Sequence, residues 1–285
     1  MPDQRDQQFQ QRLAQIRSEF VSRLPQRLSD LNQAWAQLAS GNADAAVVEA
    51  MHRNAHGLAG AGGSFGLSGL TAAARELEAA IAPLFTPPHQ PDAALRQQIP
   101  ELIGNLLRAM TGAHGTAPPP ADTIYIPTAE TPPEVSQAVQ AVSPDPSANG
   151  TQRAARTILY IEDDPANRRL VSELVGRRPD LRLLTAPDPE RGIELATGER
   201  PDLVLLDIGL PGMDGFQVLR CLRDDERTRT IPIVALTGNV MPADLSRGKA
   251  EGFDGYLVKP FRIAMFYETL DAHMGGPSAP HPQPQ

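Results

Sequence analysis

The sequence predicts two folded units, an α-helical bundle over residues 5–112 and a doubly wound α/β domain with a five-stranded parallel sheet over residues 155–274. The first region is rich in Ala, Leu, Gln and Arg, with apolar residues at helical spacing. The second alternates short apolar runs with amphipathic stretches, the pattern of a parallel sheet with crossover helices. Between them, residues 113–153 carry eight prolines and are expected to form a flexible linker.

Composition narrows the class of protein. The net charge is −8 and no basic run is present, which argues against direct binding to nucleic acid. The single cysteine, Cys221, cannot form an internal disulfide, so we expect a reducing compartment and a packing role for this residue in a helix. The polar N-terminus and the lack of a long apolar run predict a cytoplasmic protein without membrane insertion. Residues 275–285 should form a disordered tail.

Apolar spacing predicts four or five helical stretches in the bundle, which pack antiparallel to bury their apolar faces. Asn42 or Asp44 can cap the third helix, and Trp35 is expected to be a core residue. The predicted ranges are 5–23, 25–38, a third helix that contains residues 48–65, 67–81 and 91–109.

The α/β region divides into five strands and five helices. The strands are predicted at Thr157–Ile161, Leu181–Thr185, Leu203–Asp207, Ile231–Leu236 and Gly255–Val258. The helices are predicted over 165–178, 188–198, 215–225, 242–251 and 261–273. In such folds ligands bind at the carboxyl ends of the strands, so the residues there are candidate site residues.

Those strand ends carry acids, a hydroxyl and an ammonium group. Glu162 and Asp163 follow the first strand, Asp207 ends the third, Thr237 follows the fourth and Lys259 the fifth. Clustered carboxylates repel one another, and a hard divalent cation such as Mg²⁺ relieves that repulsion. The lysine and threonine can hold an anion beside the metal. These five residues at the strand ends, which we call the rim, therefore form a candidate phosphoryl-acceptor site. The simpler alternative is that these acids only cap helices and solvate loops.

Four segments, "LYIEDDPANRRL", "LVLLDIGLPGMDG", "VALTGN" and "GYLVKPF", closely resemble the receiver domain of two-component response regulators. The resemblance implies that Asp207 is the phosphorylated residue and that the chain phosphorylates itself there in a Mg²⁺-dependent reaction. It also implies that Glu162, Asp163 and Asp207 hold Mg²⁺ together with the backbone carbonyl of Gly209.

The same resemblance assigns three more roles. Thr237 and Lys259 would contact the phosphoryl group, and Tyr256 would be the aromatic switch residue whose rotamer follows Thr237. Two positions depart from the commoner pattern, because Glu162 stands in place of an Asp and Gly209 in place of a frequent Asn. Neither change removes the group that the metal needs.

A glycine-rich segment, "AHGLAGAGGSFG", lies in the third predicted helix. Each glycine in a helix interior costs roughly 1 kcal/mol relative to alanine, so bare backbone must serve a purpose here. A solvated surface histidine at His56 would gain from alanine neighbours instead. The segment resembles the phosphoacceptor helix of histidine phosphotransfer (HPt) domains, which implies that His56 accepts a phosphoryl group while the glycines admit a docking receiver.

One departure concerns the charge near that histidine. Many HPt domains have Lys or Arg three residues after the phosphoacceptor, where this sequence has Ala59. Arg53, one turn before His56, is a candidate replacement.

Taken together, the resemblances imply a phosphorelay protein that moves phosphoryl groups between His56 and an aspartate, either Asp207 or one on a partner receiver. No segment resembles the ATP-binding domain of a kinase, so a sensor or hybrid histidine kinase is the expected donor, and partner receivers or HPt proteins are expected contacts. No DNA-binding domain is recognisable. The alternative is a response regulator in which Asp207 is phosphorylated and the helical domain is only an interaction module. A detached piece of a larger hybrid kinase is disfavoured by the start at Met1 and the domain order.

Overall fold

A computed structural model of the chain describes most of both folded regions. The described residues are 4–41, 44–87, 89–113, 155–210, 212–238, 251–259 and 261–274. The predicted linker, the predicted tail and nearly all of the helix predicted over 242–251 lie outside them.

The N-terminal region is a bundle of helices, as predicted. Its helices are α1 (Gln4–Ala39), α2 (Ala45–Ser64), α3 (Ser68–Ile81) and α4 (Ala93–Ala113), with a short 3-10 helix over Ala82–Phe85 between α3 and α4. The side chain of Asp44 accepts a hydrogen bond from the Ala46 N–H (3.2 Å), so Asp44 caps α2.

Helix α1 corrects one prediction. The sequence predicts two helices separated near Pro25, whereas the structure has one 36-residue helix with Pro25 inside it. A proline in a helix interior costs about 3 kcal/mol. The apolar stripe continues across the proline, and each buried side chain on it contributes about 1.5–3 kcal/mol, which outweighs that cost. The buried stripe residues are Ile16, Phe20, Leu24, Leu31 and Leu38.

The C-terminal region is a five-stranded, fully parallel sheet in the order β2-β1-β3-β4-β5. The strands are β1 (Arg156–Ile161), β2 (Leu181–Ala186), β3 (Leu203–Asp207), β4 (Ile233–Thr237) and β5 (Gly255–Val258). The helices are α5 (Pro165–Val175), α6 (Pro189–Glu199), α7 (Gly215–Asp224) and α8 (Ile263–Met274).

Strand order reverses at β1, so a crevice opens beside the carboxyl ends of β1 and β3. Residues of β3 pair with β4 up to Asp207 and Leu236, and β4 pairs with β5 up to Thr237 and Val258. This register brings the ends of the three strands to one edge.

Two details differ from the sequence predictions. Strand β4 begins at Ile233 and not at Ile231, because Pro232 has no N–H to donate to a ladder. Cys221 lies in α7 as predicted but is exposed, so it is not a packing residue. None of the described helices is long and apolar enough to cross a membrane.

Candidate functional site

The receiver-like rim is built around a buried aspartate at the end of β3. Asp207 is fully buried, and the ammonium group of Lys259 donates hydrogen bonds to Asp207 Oδ2 (2.7 Å) and Glu162 Oε2 (2.5 Å). Thr237, at the end of β4, lines a cavity together with Lys259 and Gly209. The structure therefore brings together the hydroxyl, the ammonium and the acids that the sequence places on separate strand ends.

Three acids form a compact group of oxygen ligands. Oxygen atoms of Glu162, Asp163 and Asp207 all lie within 4.8 Å of one another. Burial, followed by the charge of Asp207, raises the pKa of Glu162 to about 7, although Lys259 partly opposes this. The same two causes raise the pKa of Asp163.

Asp207 behaves differently from the other two acids. Burial acts to raise its pKa, but the charge of Lys259 and the nearby His56 more than offset this, so the pKa lies well below its usual value. An ionised carboxylate at Asp207 is the form that can attack phosphorus.

The acids fit a hard cation. Asp163 Oδ1 is buried and has no hydrogen-bond partner among the described residues. An unpaired buried carboxylate oxygen costs free energy, and a cation with oxygen ligands would supply the missing partner. Tyr160 and Asn167 donate hydrogen bonds to Glu162 (2.5 and 2.9 Å), and these bonds fix the orientation of that carboxylate.

Two further predicted site residues have defined surroundings. The N–H of Gly209 donates to Asp207 Oδ1 (3.1 Å), which places its backbone beside the acids. Tyr256 is half-buried, and its ring packs against Phe253 with centroids 5.6 Å apart.

His56 lies directly opposite the buried aspartate. Its Nδ1 is 2.7 Å from Glu78 Oε1, and its Nε2 is 3.8 Å from Asp207 Oδ2. The side chain is 16 % exposed, so it stands between the two folded regions and not in open solvent. Burial acts to lower the pKa of His56, but Asp207 and Glu78 raise it well above the ordinary 6.5.

The glycines of α2 serve two different surfaces. A Cβ on Gly57 would lie 2.5 Å from Arg27 Nη2 and 3.0 Å from Asp164 Oδ2, and one on Gly60 would lie 3.4 Å from Asn167 Nδ2. Gly62 instead faces α3, where a Cβ would lie 3.0 Å from Thr71 Oγ1. Bare backbone thus lets α2 approach both the α/β domain and its own neighbour in the bundle.

Sequence reasoning missed the residues that surround His56 on α3. Arg75 and Glu78 line a cavity of about 540 Å³ that also contains His56. The Arg75 guanidinium donates to the backbone carbonyl of Lys259 (3.3 Å). Arg53, the candidate from the sequence, is exposed and is not among the lining residues. The helical spacing of Arg75 and Glu78 on one face of α3 was the available signal.

Family models match both folded regions. The model described as the response regulator receiver domain matches residues 158–271, and the model described as the Hpt domain matches residues 15–110. The polar-differentiation response regulator DivK of Brucella abortus (strain 2308) is 32% identical over 120 residues, which cover 42% of this chain and 97% of that protein. The chain belongs to the response regulator receiver family. DivK of Brucella anthropi is similar to the same extent.

Solved structures resemble the receiver domain. The receiver domain of a Pseudomonas aeruginosa sensor histidine kinase, with a magnesium ion coordinated in its active site cleft, is 32% identical and covers 43% of this chain and 100% of that one (TM-score 0.40). The BeF3-activated receiver domain of Klebsiella pneumoniae RstA is 33% identical and covers 42% of this chain and 98% of that one (TM-score 0.39).

The predicted architecture, an Hpt domain followed by a receiver domain, is confirmed. This combination indicates phosphorelay signalling, and no kinase or DNA-binding domain is found beside the two domains. The chain is a phosphorelay protein with an Hpt domain and a receiver domain. Its domains imply contact with histidine kinases or other phosphotransfer proteins.

Proposed function

We propose that phosphoryl groups pass between His56 and Asp207 within this chain. The observation that carries the proposal is the 3.8 Å separation of His56 Nε2 and Asp207 Oδ2. This distance is too long for a hydrogen bond. It is short enough for a phosphoryl group in a loose, in-line transition state to move from one atom to the other by a small displacement.

Glu78 prepares His56 for this role. In the neutral imidazole, Nδ1–H donates to Glu78 and the lone pair of Nε2 faces Asp207. Because Asp207 and Glu78 raise the pKa of His56, Nε2 must first lose its proton before it can accept a phosphoryl group. In the forward step, an oxygen of Asp207 attacks phosphorus, a new O–P bond forms, and the N–P bond breaks with its electron pair returning to Nε2. The reverse step uses the same atoms, and Glu78 stabilises the positive imidazole of the phosphorylated state.

The acidic group would hold Mg²⁺ through Glu162, Asp163 and Asp207, together with the carbonyl of Gly209. When bound, the metal neutralises charge on the phosphoryl oxygens. The ammonium of Lys259 and the hydroxyl of Thr237 would bind the remaining phosphoryl oxygens, in line with their positions around Asp207.

The remaining assignments are also part of the proposal. Tyr256 is the switch residue, and Asp207 phosphorylates itself from small phosphodonors when Mg²⁺ is present. The domains extend over 5–112 and 155–274, joined by the linker at 113–153. A sensor or hybrid histidine kinase supplies the phosphoryl group in the cell.

The test uses the full chain with Mg²⁺ and labelled acetyl phosphate. We expect base-labile label on Asp207, followed by base-stable label on His56. His56→Gln should retain only the first kind, and Asp207→Asn should lose both. The rate of transfer to His56 should not depend on protein concentration, because both residues are in one chain.

Mixing the two variants provides the control for transfer between chains. A mixture that labels His56 as fast as the unaltered chain would overturn the in-chain route. If label stays on Asp207 alone under every condition, the helical domain is an interaction module and the alternative function is correct.

A further inference from the structure

The N-terminal part of α1 lies on the receiver domain. The Hpt match begins at residue 15, whereas α1 begins at Gln4. Phe9 is only 6 % exposed, and it belongs to the same buried cluster as Val171 and Leu174 of α5. The guanidinium of Arg177 lies 4.3 Å from the centre of the Phe9 ring. The first turns of α1 are therefore an apolar anchor on the receiver.

Four ion pairs join α1 to α5 and the residues at its two ends. The two helices run antiparallel, so residue numbers rise on one side as they fall on the other. The pairs are Asp6–Arg177 (2.6 Å), Arg12–Glu173 (3.3 Å), Glu19–Arg169, and Arg27–Asp164 (2.8 Å). We call this set the charge ladder.

The sign of the charge alternates along the ladder. On α1 it is negative, positive, negative, positive from Asp6 to Arg27, and the receiver carries the opposite sign at each step. A single exposed pair is worth only about 0.2–1 kcal/mol, so the ladder adds little to overall stability. A shift by one step, however, places like charges opposite each other at every remaining step. Alternation of sign therefore favours one register of α1 against α5.

The last step of the ladder lies beside the transfer site. Asp164 is 2 % exposed, caps α5 and follows Asp163 directly. The Arg27 side chain reaches it across Gly57, the residue after His56. The register in which α1 pairs with α5 therefore affects the position of the His56 imidazole relative to Asp207.

We propose that the face of α1 formed by Phe9 and the charge ladder is the recognition surface that selects which receiver exchanges phosphoryl groups with His56. The partner it fits has a first helix with an acid at the N-cap, followed by a base, an acid and a base at intervals like those of residues 164, 169, 173 and 177. The receiver of this chain is one such partner. This inference rests on the proposed transfer at His56.

The experiment reverses the two middle steps. In the full chain, Arg12→Glu with Glu19→Arg places like charges opposite Glu173 and Arg169. We expect the rate of label transfer from Asp207 to His56 to fall about tenfold, since two favourable pairs become repulsive. Adding Glu173→Arg and Arg169→Glu should restore most of the rate.

The matched control reverses the Arg182–Glu199 pair, which is exposed and lies on β2 and α6. This double variant changes as many charges and should transfer at the original rate. Labelling of Asp207 by acetyl phosphate should be equal in all variants, which separates docking from chemistry at the rim. Circular dichroism melts show whether each variant is folded.

The outcomes separate the two proposals. If His56 is never labelled in the unaltered chain, the proposed function fails. If it is labelled but the α1 reversal leaves the rate unchanged, the ladder does not select the receiver. If the four-residue variant does not recover the transfer rate, the proposal for the charge ladder also fails, because the same ion pairs should form with their signs exchanged.

Discussion

Replacing Gly209 by alanine should separate phosphorylation of Asp207 from transfer to His56. A Cβ on Gly209 would lie 2.8 Å from His56 Cδ2 and still closer to Cε1 and Nε2, whereas ordinary contacts begin near 3.4 Å. Gly209 is not among the described glycines with positive φ, so the methyl group itself strains no backbone. The imidazole must therefore move back.

The size of that movement sets the expected effect. Restoring ordinary contact requires the ring to retreat by about 1 Å, and a misplacement of that size costs about 10²-fold in rate. We expect transfer between Asp207 and His56 to slow about a hundredfold in Gly209→Ala. Gly209→Asn should slow it at least as much, because the larger side chain occupies the same space.

Rapid quenching after addition of acetyl phosphate measures both steps in one sample. Labelling of Asp207 should be nearly unchanged, since the N–H of Gly209 still donates to Asp207 and its carbonyl remains. Gly198→Ala is the matched control, because a Cβ there meets nothing within 4 Å. Transfer at the original rate in Gly209→Ala would refute the close approach of His56 to this backbone.

Other substitutions test other parts of the structure. Glu78→Gln should lower the pKa of His56, which an NMR titration without Mg²⁺ would measure. Packing of the two domains around His56 raises this pKa, so the packed form of the unaltered chain should become less stable as pH rises above about 6.5. The variant should lose less stability over the same pH range. Asp44→Ala removes the cap of α2 and should cost about 1 kcal/mol in urea unfolding, with unchanged labelling of the receiver. Gly192→Ala would place a Cβ 2.5 Å from Ile161 Cδ1 and should destabilise the receiver by about 1–3 kcal/mol, visible as a lower melting temperature. Asp163→Asn should weaken Mg²⁺ binding at least tenfold in calorimetry, and equal affinity would remove this acid from the metal site.

The sequence predicts the receiver rim well, for a definite reason. Parallel strands end at one edge of a sheet, so residues that follow apolar runs, such as Asp207 and Lys259, must meet there. The bundle is predicted less accurately. Pro25 signals a break, and only the burial of the stripe on both sides of it shows that α1 continues.

The apolar periodicity of the sequence cannot predict the contacts between the two domains. A helical pattern shows which face is apolar but not what covers it, so Phe9 could be assigned to a stripe but not to the receiver core. Glu78 and Arg75 were missed because a charged face on a helix ordinarily faces solvent. Arg53 is one turn from His56 in the sequence, but it is exposed, whereas α3 brings Glu78 to the imidazole.

The short distance between His56 and Asp207 also limits the exchange of phosphoryl groups with other proteins. While Asp207 is covered, an external kinase or receiver can reach neither residue, so the chain must open before it exchanges phosphoryl groups with a partner. Because the Hpt and receiver domains are in one chain, each competes with outside partners at an effective concentration that can reach about the millimolar range. A partner present at micromolar concentration must then bind about a thousandfold more tightly than the chain binds itself. The fold thus prevents phosphoryl exchange with weakly binding proteins and allows it only with partners whose affinity exceeds that threshold.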